Sequence, residues 1–283
     1  MFTGLGFPEI LVILSLILLF FGTKELPGFI REIAKFMAKA RQYSDKVKRE
    51  LNDISRPIKQ IQQETKTEDD PYVKKKKLRK LYETARQELS EEQRFELSER
   101  IIGHLCKNEA FARARSVMIY VAKEPEVETH ELIASLLAEK QKRVVVPYCD
   151  VEMNDLGLSE IKDRDIDLKP GHYEILEPVE KLRDNFFKSD LQLIICPAVA
   201  FDREGGRLGR GKHYYDTFLS ELKGRIPIIG LAYSCQIMDT LLPFEYHDVA
   251  MDQVITEHGK VLKDDTPAPG ESEPPQAADN ASA

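Results

Sequence analysis

The sequence predicts an α/β protein: a layered α/β/α domain around a largely parallel or mixed central sheet, preceded by a short transmembrane helix and an amphipathic helix that together make an L. Three observations predict it. Residues 191–196 and 226–232 are short, near-continuous apolar runs, the pattern of strands buried on both faces. Helical patterns alternate with such strands between residues 72 and 263, which implies sheet and helix in layers. Ahead of them stands an apolar run followed by an apolar stripe at alternating three- and four-residue steps.

The apolar run comes first. Residues 10–21 are apolar apart from Ser15, which is short against the about 20 residues of an ordinary spanning helix. A signal peptide needs a basic start and a small-x-small cleavage site, yet no Lys or Arg precedes Lys24 and the run ends in Phe21-Gly22-Thr23-Lys24-Glu25-Leu26-Pro27. Pro27 suits the first turn of a new helix. From there Ile30, Ile33, Met37, Ala40, Val47, Leu51, Ile54, Ile58 and Ile61 make one stripe, with Ser44 its polar member. Arg31, Lys35, Lys39, Arg41, Lys46, Lys48 and Arg49 face the other way, as suits an anionic membrane surface. A plain coiled coil or core helix is the alternative for the stripe alone. Pro57 breaks or kinks this helix near Arg56. With Gly22 as the hinge, the run and the stripe form the two arms of the L.

These residues resemble the TatA/TatB family of the twin-arginine translocase: Gly6-Phe7-Pro8-Glu9, the short apolar run, the Phe21-Gly22 hinge and the helix after it. The resemblance covers about residues 1–61 and implies inner-membrane lipid and other translocase subunits as partners. Lys and Arg fall only after the apolar run, so the positive-inside rule places the N-terminus outside and the remainder of a single-pass chain in the cytoplasm.

Residues 62–71 read as a polar linker ending in Glu68-Asp69-Asp70-Pro71. Residues 264–283 hold no Lys, Arg or aromatic residue and are expected to be a disordered acidic tail. Between them, helix is expected over 75–105, with Ser90 an N-cap two residues ahead of Glu92, and over 129–140; strands are expected at 116–121 and 143–146 besides the two above. A net charge of −7 argues against nucleic acid as a partner. Cys106, Cys149, Cys196 and Cys235 contain no Cys-x-x-Cys, and the 6 histidines no His-x-x-x-His pair, so mostly buried, reduced thiols and no zinc site are expected.

The chemical centre follows the run 191–196. Residues 203–216 read Arg-Glu-Gly-Gly-Arg-Leu-Gly-Arg-Gly-Lys-His-Tyr-Tyr-Asp. Gly205, Gly206, Gly209 and Gly211 let backbone N–H groups approach phosphate oxygens, while Arg207, Arg210 and Lys212 balance their charge. Asp216, at the start of the next helix, is a candidate magnesium ligand. Gly206 to Lys212 also fits the P-loop spacing Gly-x4-Gly-Lys, but His213 stands where Ser or Thr should hold magnesium, and no Walker-B carboxylate follows. A plain glycine-rich turn with solvated arginines is the remaining alternative.

At this loop the sequence resembles the 5-formyltetrahydrofolate cyclo-ligase family, over about residues 74–260. Four further motifs carry the resemblance: Lys75-x-x-Leu78-Arg79, Glu126-Val127-Glu128-Thr129, Pro197-x-x-Ala200-Phe201-Asp202 and Pro243-x-x-x-His247-Asp248-x-x-x-Asp252. The resemblance implies ATP as co-substrate, contacted by Lys75 and Arg79 from one helix face and by the loop Arg207, Leu208, Gly209, Arg210, Gly211, Lys212, His213, Tyr214 and Tyr215. It implies 5-formyltetrahydrofolate as substrate, with Glu126 on the pterin ring, Val121 and Tyr214 lining the cleft, and Arg210, Gly211, Lys212 and His213 shared between the two ligands. Arg210, Lys212 and Tyr214 are the implied catalytic residues; Asp216 and Asp248 are the implied ligands of Mg2+. For Lys75 and Arg79 a solvated basic helix end, and for Val121 plain strand packing, are the bland alternatives. His213 departs from the glycine that many members carry there; its side chain would either crowd a ligand or hydrogen-bond to it. Two functions are open to such a chain: a membrane-tethered ATP-dependent cyclo-ligase, or a translocase subunit carrying a catalytically silent cyclo-ligase-like domain.

Overall fold

The computed structural model describes residues 70–151, 153, 155–171 and 176–261, together with Lys35. The chain divides into two compact units, Met1–Ile54 and Ser55–Ala283. In the first unit only Lys35 is described, exposed and helical. The expected membrane helix, hinge and amphipathic helix, most of the linker and the acidic tail therefore lie outside the described residues. Among the described residues no helix is long and apolar enough to cross a membrane.

Helix α1 (Pro71–Gln87) starts where Asp70 accepts hydrogen bonds from the Tyr72 and Val73 N–H groups and Pro71 fills the first turn. It buries Leu78, Leu81, Tyr82 and Ala85, a stripe at three- and four-residue steps. The helix expected over 75–105 is two helices. Ser90 is extended (ψ 161°) and its side chain accepts from the Gln93 N–H, while Gln93 accepts in return from the Ser90 N–H. That capping box satisfies donors a continuous helix would have used itself, so α2 (Glu91–Cys106) begins afresh. The box partner is Gln93, not Glu92.

After the five-residue α3 (Glu109–Arg113), capped by Asn108, come β1 (Ser116–Ile119), α4 (His130–Glu139), β2 (Arg143–Asp150) and β3 (Asp155–Ile161). A one-turn helix α5 (Arg164–Asp167) leads to the hairpin strands β4 (Leu168–Pro170) and β5 (Leu176–Pro178). The rest is β6 (Leu193–Cys196), β7 (Ala200–Asp202), β8 (Arg207–Leu208), α6 (Tyr214–Ser220), β9 (Ile228–Leu231), β10 (Ile237–Met238), β11 (Gln253–Thr256) and β12 (Gly259–Lys260).

Seven strands form one mixed sheet in the order β12-β11-β9-β6-β1-β2-β3. The inner five run parallel, and β3 and β12 are antiparallel edges. Every residue of β1, β6 and β9 is buried, as the apolar runs predict. Removing a Leu, Ile or Met side chain such as Met118 or Ile194 from water stabilises by about 1.5–3 kcal/mol each. From β1 the chain winds outward to β2, whereas from β6 it winds the opposite way to β9. β1 and β6 are neighbours, so the order reverses between them, and a crevice opens beyond their carboxyl ends. A small sheet, β10-β7-β8, takes β7 and β8 from the chain just past β6 and β10 from just past β9.

Candidate functional site

The crevice is a cavity of about 440 Å3. Tyr120, Val121 and Glu126 reach it from just past β1, Cys149 from the end of β2, Ala198 from just past β6, and the glycine-rich loop closes the remaining side. Val121 is thus buried beyond the strand end and on the cavity wall, so packing and lining are both its lot.

The small sheet delivers the loop. Asp202 at the end of β7 accepts from the Glu204, Gly206 and Leu242 N–H groups at 3.0, 2.7 and 2.9 Å. A Cβ on Gly206 would stand 2.4 Å from that carboxylate, and one on Gly205 (φ 85°) would meet the Met251 carbonyl at 2.5 Å. Only glycine suits both places. Asp202, quoted above for its motif, is scaffold, and Leu208 is buried within β8 rather than on the cavity wall.

The loop cations take separate tasks. Arg207 is almost wholly buried and donates to Asp216 Oδ1 at 2.6 Å, its guanidinium 5.2 Å from the Tyr215 ring. Arg210 is half exposed and donates to Glu126 Oε1 at 2.8 Å, while Glu126 Oε2 accepts from the Lys123 N–H at 3.1 Å. Lys212 lies exposed at the cavity and Tyr214 half-buried beside it. Arg79 reaches the loop from α1, donating through Nε to the Gly209 carbonyl at 2.8 Å, and Gly211 (φ 85°) packs on its guanidinium. Arg79 therefore braces the loop.

Lys75, on the same face of α1, is buried and donates to Glu245 Oε2 and Asp248 Oδ2, both at 2.6 Å. That contact holds the Glu245 carboxyl below its ordinary value. Lys75 and Asp248 lie outside the cavity wall; Asp216 lies on it. Between the two aspartates stand two imidazoles: His213 Nδ1 is 3.7 Å from Asp216 Oδ2, His247 Nε2 is 3.8 Å from Asp248 Oδ1, and the rings are 5.0 Å apart. His213 has φ 60°, the left-handed region that glycine enters freely and a side chain enters at a cost. Its backbone conformation thus explains why glycine is the common choice there.

Magnesium takes oxygen ligands and keeps several waters. Asp216 commits Oδ1 to Arg207 and Asp248 commits Oδ2 to Lys75 and the Glu245 N–H, leaving Oδ2 of one and Oδ1 of the other outside those cation contacts. Carboxylate oxygens are donors of the kind a hard divalent ion takes. Burial pushes the Tyr120 and Tyr215 phenols well above their ordinary value, so both are neutral hydroxyls at physiological pH. All four cysteines are free; Cys196 and Cys235 are buried and pushed up to about 12 by that burial, Cys149 is half-buried and Cys106 is exposed, so only half of them match the expected burial.

Sequence reasoning missed Glu177, a buried carboxylate on β5 that lines the cavity and accepts from Arg183 at 3.3 Å. Its three-residue strand carries no periodicity that could have flagged it. It also missed Glu245, whose only signal was its place inside the Pro243 motif.

The model of the 5-formyltetrahydrofolate cyclo-ligase family matches residues 71–257. A second model, of the mttA/Hcf106 family, matches residues 2–50. Among curated proteins the chain is 32% identical over 156 residues to the mitochondrial 5-formyltetrahydrofolate cyclo-ligase of Arabidopsis thaliana, covering 48% of this chain and 56% of that one. It thus spans little more than half the length of that relative. It is 28% identical over 199 residues to a probable 5-formyltetrahydrofolate cyclo-ligase of Caenorhabditis elegans, covering 67% of this chain and 96% of that one. Among solved structures it is similar to the NMR structure of the Aquifex aeolicus 5,10-methenyltetrahydrofolate synthetase, with TM-score 0.58, 34% identity, and 69% of this chain and 95% of that one covered.

Proposed function

The chain belongs to the 5-formyltetrahydrofolate cyclo-ligase family, and we propose that it closes 5-formyltetrahydrofolate to 5,10-methenyltetrahydrofolate with ATP, releasing ADP and phosphate. The observation that carries this reading is the cavity beyond β1 and β6, where a carboxylate, Glu126, meets a cation of the glycine-rich loop, Arg210, at 2.8 Å. A half-exposed arginine of this kind swings readily from Glu126 to a phosphate, freeing the carboxylate for polar pterin donors.

The formyl oxygen is a poor leaving group. Its attack on the γ-phosphorus of ATP breaks the bond to the ADP oxygen and leaves a formyl-derived phosphate ester. The second folate nitrogen then attacks the formyl carbon, phosphate departs with the carbon–oxygen electron pair, and that nitrogen gives up its proton. No Ser or Cys nucleophile is needed. The residues position the two substrates and neutralise charge on the moving phosphoryl group. Glu126 accepts from the pterin edge, and Val121 and Tyr214 hold its apolar face. Arg210 and Lys212 take the γ-phosphate, with Tyr214 at the transfer point. Gly209, Gly211, His213 and Tyr215 supply backbone and ring contacts, and Lys75 and Arg79 contact ATP from α1, Arg79 bracing the loop and Lys75 holding Glu245 and Asp248. Asp216 and Asp248 would hold Mg2+, which when bound offsets phosphate charge.

Residues 72–263 are the catalytic domain, 62–71 the linker and 264–283 the acidic tail. The mttA/Hcf106 match supports residues 1–61 as a single-pass inner-membrane anchor, its short membrane helix and surface helix making an L, with the N-terminus outside and the enzyme in the cytoplasm. The same match favours a second reading, a translocase subunit whose cyclo-ligase domain is silent.

Turnover separates the two. The full chain, given Mg-ATP and 5-formyltetrahydrofolate, should generate methenyltetrahydrofolate absorbance, none without ATP and none in Lys212→Ala. A chain that folds and does not turn over leaves the silent-domain reading. Deleting residues 1–62 should move the protein from the membrane to the soluble fraction; an unchanged distribution sinks the anchor.

A further inference from the structure

We propose that Glu177 is a second carboxylate anchor of the substrate, accepting from the 2-amino group and the N3–H of the pterin and so selecting a 2-amino-4-oxo ring. The inference rests on the folate reading of the cavity and adds the end at which the ring is recognised. Glu177 is 4% exposed yet lines the cavity. Arg183 reaches its Oε2 at 3.3 Å, and the same guanidinium lies 4.7 Å from the ring of Tyr148, another part of the cavity wall. Both side chains are packed against glycines that leave them no slack. A Cβ on Gly171 would stand 2.6 Å from the Glu177 carboxylate, and one on Gly157 would stand 2.2 Å from the Tyr148 ring. A buried carboxylate held in this way, on an otherwise largely apolar wall, is a preorganised acceptor for donors of a ligand.

The two cavity carboxylates face different parts of the substrate. Glu126, just past β1, meets the loop cation Arg210 at 2.8 Å, so phosphate and the reacting formyl group belong on that side. Glu177 stands beside Cys149 at the end of β2, the strand outboard of β1: burial, and after it the Glu177 charge, pushes that thiol up. In 5-formyltetrahydrofolate the reacting N5 and N10 lie at one end of the bicyclic ring, and the 2-amino group and N3–H lie at the other. A formyl oxygen turned towards the loop therefore turns the amino end towards Glu177. The two parallel N–H donors of that end match the two oxygens of a single carboxylate, as the fork of a guanidinium does. Glu126 is left with the donors nearer the reacting nitrogens, and Arg183 offsets the Glu177 charge.

The test is calorimetric binding, to the full chain without nucleotide, of 5-formyltetrahydrofolate and of its 2-desamino-2-methyl analogue. The parent should prefer the 2-amino compound at least about tenfold. In Glu177→Gln an amide NH2 faces one of the two ring donors. Affinity for 5-formyltetrahydrofolate should then fall about ten- to a hundredfold and the preference should collapse, while the KM for ATP stays at the parent's value. Circular dichroism confirms folding. Cys149 gives a check that needs no variant: bound 5-formyltetrahydrofolate should slow its alkylation by N-ethylmaleimide, with the exposed Cys106 as internal control. A folded Glu177→Gln protein with parental affinity and preference, or a Cys149 that bound folate does not shield, overturns the inference. Because binding is the readout, a chain that holds folate through Glu177 yet does not turn over refutes the ligase reading alone. Turnover with an indifferent Glu177→Gln refutes this inference alone.

Discussion

Two cation–carboxylate pairs frame the loop, and they are built in opposite ways. Arg207 and Asp216 are sealed, with side chains 4% and 12% exposed; Arg210 and Glu126 meet at the cavity mouth, where the glutamate is 10% exposed but the arginine 45%, so the two pairs differ in their cation. The sealed pair fixes the loop to the start of α6, and removing one member strands the other as a buried charge. In the open pair water reaches the arginine, which can swing away, while Glu126 stays on the cavity wall with the Lys123 N–H as its second partner. The contrast teaches that the same residue types serve architecture in one place and exchange with ligand in the other, and that burial decides which.

The comparison breaks first at the sealed pair. Arg207→Met or Asp216→Ala should cost about 3–5 kcal/mol in denaturant unfolding, the penalty of leaving a buried partner unpaired. Unchanged stability would mean that the pair is not sealed in solution. Arg210→Ala should cost less stability than Arg207→Met, since the arginine removed is itself 45% exposed and Glu126 keeps the Lys123 N–H, but a fall of about 10²–10³ in kcat is expected from the lost stabilisation of phosphoryl charge. A variant that unfolds easily yet turns over normally would exchange the roles assigned to the two arginines.

Between these extremes lies Gly206→Ala, whose Cβ would stand 2.4 Å from the Asp202 carboxylate that gathers three backbone N–H groups. A loss of about 1–3 kcal/mol is expected, with kcat/KM falling as the loop shifts. The smallest effect belongs to Glu245. The Lys75 hydrogen bond depresses its folded value from 4.5, so its contribution is present above the unfolded value and fades as pH falls through the folded one. The stability gap between the parent and Glu245→Gln should shrink below about pH 4.5 and, at a side chain 41% exposed, amount to well under 1 kcal/mol. A gap that widens on acidification would reverse the sign.

Much of this was legible before any coordinates. The runs at 191–196 and 226–232 announced β6 and β9 because strands buried on both faces need no alternation. The loop announced itself through the density of glycine and cation, a local property. Ser90 was legible as a cap, but its consequence, two helices instead of one, depended on Gln93 completing the box. The strands β4, β5, β7, β8, β10 and β12, two or three residues each, were too short to show a period, and Glu177 was hidden with them. The pairing of Asp216 with Arg207 and of Lys75 with Asp248 was beyond reach for another reason: it comes from tertiary neighbours far apart in the chain. His213 joins both kinds, a residue conspicuous in the sequence whose meaning needed a φ of 60° and a partner ring from the Pro243 segment.

The central claim is that Arg210 and Glu126 act as one unit at the mouth of a folate- and ATP-binding cavity. A double-mutant cycle on kcat/KM for 5-formyltetrahydrofolate, with Arg210→Ala, Glu126→Gln and the pair, tests it most directly. Each single variant should lose at least about a hundredfold, and the double variant should lose far less than the product of the two, as residues acting together do. Two losses that multiply, or single variants as active as the parent, would contradict the account.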